Sequence, residues 1–269
     1  MKRIRPYAGA VAVMAFVSTA CIIPVYIDDP RGFPRRLPEM FEKTVPWEGG
    51  GAIAVENPVG DVEIFGWDRR EVRISAEWGW SGPRGSRFGE RTGPPEVEID
   101  EHPGVLRVVL RPVGRETDPV RPVRLILNVP RAVDLESVVV GHGRVNVGDV
   151  YGRSRLAVQA GEVRVENYSG SLEVMVERGT AEAEILDFRP EDVVRLVARQ
   201  GSVTLYLEDD ANAEVEAEAP GGRIVSDFDL GPDRGGGKTS AEIGREKGGS
   251  VVLISGTGDV RIRKVREGF

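Results

Sequence analysis

In EVRISAEWGW, residues 71–80, Val72, Ile74, Ala76, Trp78 and Trp80 share one parity, while Glu71, Arg73, Ser75 and Glu77 hold the other. Successive side chains of a strand point to opposite faces, so this two-residue period predicts a strand buried on one side. The same alternation recurs in VEIF, LRVVL, VRLILNV, RVNV, EVRVEN, SLEVMV, SVTLYL, AEVEAEA, RIVSDF, SVVLIS and DVRIRKV. One segment is ambiguous. In PEDVVRLVARQ, Pro190 followed by acids suits a helix start, yet Val194, Leu196 and Ala198 alternate as in a strand.

Many short strands are compatible with a sandwich, a barrel or a solenoid, and glycine spacing separates these. Gly143, Gly152, Gly161, Gly170 and Gly179 recur every nine residues and open the units GRVNVGDVY, GRSRLAVQA, GEVRVENYS, GSLEVMVER and GTAEAEILD. The third and fifth positions are apolar except at Ser154. At about 3.3 Å per residue, nine residues make one side of a coil rather than a whole turn. Alternate units match best: Asp149 and Asn167 stand at position seven of the first and third, Val158 and Val176 at that of the second and fourth. The repeat is therefore 18 residues, two arms to a coil with glycine at the corners. Later spacings lengthen, with Gly201 22 residues beyond Gly179 and Gly222 21 beyond Gly201. The predicted fold is all-β, a single-stranded parallel β-helix (solenoid) with coils of about 18 to 22 residues. At the 18-residue offset Arg144 falls beside Glu162, Arg155 beside Glu173 and Arg164 beside Glu182, which makes charge ladders the expected surface.

The N-terminus changes the picture of where this fold resides. MKRIRPYAGAVAVMAFVSTAC joins a basic start, an apolar run and small residues, the pattern of a signal peptide over residues 1–20. Cys21, the one cysteine, follows Ser-Thr-Ala and is the candidate lipid-attachment residue, although Ser18 stands where leucine is usual in such sites. Ordinary signal cleavage and an uncleaved anchor over residues 7–27 are the alternatives, the second weakened by Pro24. Each places the remainder outside the cytoplasm, in the cell envelope, with the membrane as a partner through a lipid anchor in the first case. Residues 21–50, with prolines at 24, 30, 34, 38 and 46, read as a tether, and residues 51–269 as the β domain. The net charge of −7 becomes −10 without residues 1–20, which carry Lys2, Arg3 and Arg5 and no acid. That balance argues against nucleic acid as a partner.

GAIAVENPVGDVEIFGWDRREVRISAEW, the glycine-led units, GGRIVSDFDLG and GGSVVLISGTGDVRIRK resemble the bacterial putative-adhesin β-solenoid family over about residues 45–265. These proteins are secreted or lipid-anchored and their activity is unknown. The resemblance implies a right-handed parallel β-helix without known catalytic residues.

Candidate chemistry is sparse. His102 and His142 lie in separate segments and no cysteine is available beyond Cys21, which excludes common Cys/His zinc sites and Cys/His catalysis. No G-x-S-x-G nucleophile elbow stands between a strand and a helix. His142, in GHG, reads as a turn residue. Calcium-binding β-rolls share the nonapeptide period but place aspartate at every corner, whereas Asp149 has no counterpart in four of five units. In GPDRGGGKTS, Pro232 stands where a phosphate-binding loop needs glycine. Neither catalytic residues, a metal nor a cofactor is assigned.

Trp47, Trp67, Trp78 and Trp80 cluster early in the mature chain, and their alternation suits an end cap of the coil better than a sugar platform. The loop at residues 81–96 is a candidate edge for partner contact. The leading functional expectation is a non-enzymatic, adhesin-like envelope protein presenting a β surface to an envelope protein or glycan. A polysaccharide-active β-helix enzyme, and an accessory sensor domain signalling through a partner, are the alternatives.

Overall fold

The computed structural model describes residues 26–27, 35–36, 39–78, 95–113, 121–231 and 237–265. Strands β1 (Tyr26–Ile27) and β2 (Arg35–Arg36) pair antiparallel with each other, and the other strands form one mixed sheet. Its N-terminal part comprises β3 (Glu39–Pro46), β4 (Ala52–Val59), β5 (Val62–Trp67), β6 (Glu71–Trp78), β7 (Glu96–His102), β8 (Val105–Arg111) and β9 (Val123–Pro130). The centre comprises β10 (Asp134–Gly148), β11 (Ser154–Tyr168), β12 (Leu172–Ile185), β13 (Val193–Gln200) and β14 (Val203–Leu207). The C-terminal part adds β15 (Ala213–Glu218), β16 (Ile224–Ser226), β17 (Lys238–Ile243), β18 (Gly249–Ser255) and β19 (Val260–Lys264). The fold is all-β, and none of the described residues is helical.

The central strands pair parallel at the offset that the glycines foretell. Val145 lies opposite Val163 and Val163 opposite Ala181, an offset of 18 residues, and Leu172 lies opposite Val194, an offset of 22. Alternate residues are buried, so Leu156, Val174, Leu196 and Leu253 share one row of the core. Burying each such side chain contributes about 1.5–3 kcal/mol. Strands β10, β11 and β12 each pass through a corner glycine. Their first halves join the run β7-β8-β4-β10-β11-β12-β13-β18-β15-β17, and their second halves join β3-β6-β9-β5-β10-β11-β12-β14-β19-β16. One continuous hydrophobic cluster takes side chains from both runs.

The nine-residue glycine period resolves into two columns. Gly161 has φ of +150°, and a Cβ there would lie 1.8 Å from the carbonyl O of Gly143; one on Gly179 would lie 1.7 Å from that of Gly161. Gly152 and Gly170 stack at the other corner, where a Cβ on Gly170 would meet the Gly152 carbonyl O at 2.2 Å. Glycine is needed because neighbouring backbones touch where the side chain would be.

Two expectations change and one ambiguity resolves. A parallel β-helix throughout is corrected to a mixed sheet, since β3–β6, β6–β9, β7–β8 and β15–β17 pair antiparallel. At β7–β8 the cause is local: only Pro103 and Gly104 intervene, and so short a link permits only a hairpin. PEDVVRLVARQ is strand β13 from Val193, because Val194, Leu196 and Ala198 fit opposite Leu172, Val174 and Val176. The segment read as tether contains β3, paired antiparallel with β6, and buries Val45.

The charge ladders follow the register with one exception. Arg155 lies 3.6 Å from Glu173 and Arg164 3.8 Å from Glu182. Arg144 is opposite Glu162 in register but turns to Asp61 at 2.7 Å. Such exposed pairs contribute about 0–1 kcal/mol each. Cys21, Trp80 and most of the loop at 81–96 lie outside the described residues.

Candidate ligand groove at the strand corners

Three successive links form one corner: residues 149–153 between β10 and β11, 169–171 between β11 and β12, and 186–192 between β12 and β13. Each has a non-glycine residue in the left-handed region at or near its start, Asp149 (φ 59°), Asn167 (φ 48°) and Asp187 (φ 50°). Asp and Asn tolerate this conformation because their short polar side chains bond locally. Here the bonds run between turns. The Asn167 amide donates to the Asp149 carboxylate, which also takes Arg131 at 3.0 Å. Glu184 accepts the Asn167 N–H at 3.2 Å, and Glu208 accepts the Asp187 N–H at 2.8 Å. Asp149 therefore has counterparts at this corner in Asn167, which shares its position in the glycine-led unit, and in Asp187, which a strict nine-residue comparison misses.

Tyr168 braces this corner from the core. It is wholly buried, and its hydroxyl lies 2.8 Å from the Gly152 carbonyl and 3.0 Å from that of Ser171, tying two turns together. Burial pushes its phenol far above the usual range, a shift that the adjoining Ser154 hydroxyl opposes and the charges of Asp134 and Asp192 reinforce. Tyr168 is thus a neutral donor at any ordinary pH. Ser154, the polar exception in the repeat, is buried beside this phenol.

The link 186–192 is longer than 169–171 and lines one side of a groove with Asp187, Arg189, Glu191 and Asp192. Asp192, 8% exposed, braces it by accepting the Arg189 N–H at 3.0 Å, and the Arg189 guanidinium meets Asp187 at 2.6 Å. Opposite, Asp134 accepts the Arg153 N–H at 2.8 Å. Between them lies an open groove of about 740 Å³, with the exposed Tyr151 on its lining. A second depression of about 500 Å³, sharing Asp134, Arg153 and Ser171, continues it along the strand starts.

The corner's backbone is occupied. Tyr151 N–H donates to Arg131 O at 2.7 Å, Gly152 N–H to Ser169 O at 3.0 Å and Ser154 N–H to Ser171 O at 2.9 Å. A ligand would meet side chains instead. Among the described residues the Arg153 guanidinium makes no ion pair, and neither the Tyr151 hydroxyl nor the Glu191 carboxylate makes a hydrogen bond.

The residues singled out from sequence lie elsewhere. His142 is exposed within β10, and His102 ends β7, in a different part of the first run. Trp78 is buried in β6, between the antiparallel partners β3 and β9. Trp67 donates its indole N–H to Glu71 O at 2.8 Å, with the Arg69 guanidinium 4.9 Å from its ring. These tryptophans pack an end of the sheet rather than line the groove. No group of three or more His, Cys, Asp or Glu among the described residues could hold a metal ion. On the outer face of the first run, Val139, Ala157, Met175, Val197 and Ile254 stand in one register row, with Val139 41% and Met175 37% exposed.

No family model and no curated protein matches the chain. Its fold is similar to that of a solved structure described as a putative cell adhesion protein from Clostridium sporogenes. That likeness has 15% identity and a TM-score of 0.53, covering 85% of this chain and 100% of the other. A putative adhesin from Parabacteroides distasonis matches at 11% identity and TM-score 0.28, over 83% of this chain and 96% of that one. One from Parabacteroides merdae matches at 15% and 0.23, over 84% and 96%.

Proposed function

We propose that this protein is a non-enzymatic, adhesin-like component of the cell envelope that holds a partner in the corner groove. Its central strands wind as a right-handed parallel β-solenoid, and Cys21 carries the lipid that anchors it, with residues 1–20 removed as signal peptide. The observation that carries the reading is the groove itself: an exposed aromatic ring, a guanidinium and carboxylate oxygens with unused bonding capacity, mounted on turns braced by Tyr168 and Asp192. Rigid mounting of a few free polar groups is what a binding site requires. The description of the Clostridium sporogenes protein of similar fold points the same way.

The alternative of a polysaccharide-active enzyme draws no support from the arrangement. Asp134 and Asp192 each accept a backbone N–H of their own corner, a structural use. The test is retention of the full chain on isolated envelopes, measured by sedimentation, for wild type and Tyr151→Ala/Arg153→Ala. Both side chains are exposed, so folding should persist while retention falls at least tenfold. Undiminished retention would remove the groove from the function.

A further inference from the structure

From the chemistry of this groove we infer that its occupant is an uncharged saccharide chain, an inference that rests on the groove being the binding site. The aromatic ring, the polar groups beside it, the occupied backbone, the charge, the spacing and the volume carry it. Tyr151 is 40% exposed in an otherwise polar groove, and its backbone is bridged to Ala132 and Ser169 on either side. A ring so fixed presents an apolar face with a polar tip, the surface that stacks on the C–H face of a sugar. Next to it the Arg153 guanidinium and the second Asp134 oxygen offer planar donors and acceptors, which suit neighbouring hydroxyls.

The backbone bonding described above excludes the main rival. A peptide that binds by strand addition needs a free edge, and at this corner the N–H groups of Tyr151, Gly152 and Ser154 are already given to adjacent turns. An acyl chain is equally unsuited, since Tyr151 is the lining's one large apolar surface.

Charge narrows the class. The carboxylates of Asp134, Asp187, Glu191 and Asp192 outnumber the guanidiniums of Arg153 and Arg189. The groove therefore repels polyanions such as uronate or phosphodiester polymers. Turns stacked at about 4.8 Å repeat with a step close to that of one sugar ring, so a chain lying along the corner meets a new turn at about each ring. The volume of about 740 Å³ admits a short oligosaccharide.

The probes are cellotetraose, chitotetraose and tetragalacturonate, titrated by calorimetry into the full chain in a sugar-free zwitterionic detergent. One neutral tetramer should bind, with tetragalacturonate at least tenfold weaker, and Tyr151→Ala should weaken the neutral ligand at least tenfold with an unchanged melting temperature. Tetragalacturonate binding as well as the neutral tetramers would overturn the inference. So would failure of both neutral tetramers to bind. Envelope retention separates the two levels of the reading. Retention that depends on Tyr151 and Arg153 but is abolished by protease treatment of the envelopes, and spared by periodate, would leave the groove in place with a protein partner. Retention independent of both residues would remove groove and saccharide together.

Discussion

Replacing Gly161 with alanine isolates the feature on which the central strands depend. At φ of +150° a residue with a Cβ is strained by about 1–3 kcal/mol. The new atom would also sit 1.8 Å from the Gly143 carbonyl O, which is backbone and cannot rotate away. Carbon and oxygen tolerate roughly 3.2 Å at closest, so β10 and β11 must part locally by more than about 1 Å. Ladder bonds beside Gly161 then exceed hydrogen-bonding distance, and losing two or three at about 1 kcal/mol each adds to the strain. The sum, about 3–6 kcal/mol, is a large share of the roughly 5–15 kcal/mol that a domain possesses.

The assay is urea unfolding followed by circular dichroism, with the loss expected in the midpoint and not in the slope. Gly104→Ala is the control. Gly104 also has a positive φ, +84°, but a Cβ there meets nothing within 4 Å, so the substitution carries conformational strain alone, about 1 kcal/mol. A Gly161→Ala protein within 1 kcal/mol of Gly104→Ala would refute the idea that backbone contact, rather than dihedral preference, places glycine in these columns.

Tyr168→Phe removes the hydroxyl that reaches the Gly152 and Ser171 carbonyls and should lower urea stability by about 1–3 kcal/mol. Burial tends to raise the Asp61 carboxyl, but hydrogen bonds from the Arg144 guanidinium and N–H, with the charges of Arg144 and Arg124, hold it below the usual 3.8. Its stabilisation is therefore complete above that value and disappears as pH falls through the lower folded value; Asp61→Asn should be less stable at pH 7, and the difference should shrink only below about pH 4. Cys21→Ser should abolish incorporation of a fatty-acid analogue and release the protein from the membrane fraction. Met175→Lys, an outward change on the apolar row, should alter stability by less than about 0.5 kcal/mol and leave saccharide binding intact.

The central pairing was legible because parallel in-register strands repeat their own environment. Val145, Val163 and Ala181 occupy equivalent places, and so do the glycines beneath them, so the period of the fold is printed as a period of residues. The antiparallel strands left no such mark. Alternation in EVRISAEW records which side chains are buried but is the same whichever way a neighbour runs, so the pairing of β6 with β3 and β9 was invisible. Strand β3 was hidden differently. Pro38 and Pro46 bracket a segment of mixed charge, and only Phe41, Lys43 and Val45 betray its period. Lys43 shares that parity because its ammonium reaches Glu101, 2.9 Å away at the end of β7.

The groove was illegible for a reason that also explains its existence. Its parts lie in links of unequal length, and unequal length is what breaks a periodic reading. A faint trace remains in Asp149-Val-Tyr-Gly, Asn167-Tyr-Ser-Gly and Asp187-Phe-Arg-Pro, each a left-handed Asp or Asn with an aromatic one or two places on. The aromatics diverge in use: Tyr168 turns inward to the core, Phe188 packs against the core and Tyr151 remains outside. Had 186–192 matched 169–171, the corner would lack the lining side chains that the longer link supplies. The extra residues spare the strand register, since Leu172 and Val194 still align, and add Asp187 and Arg189 to the groove lining. A repetitive fold can thus carry a specific site at one corner by lengthening one link while the core retains its period.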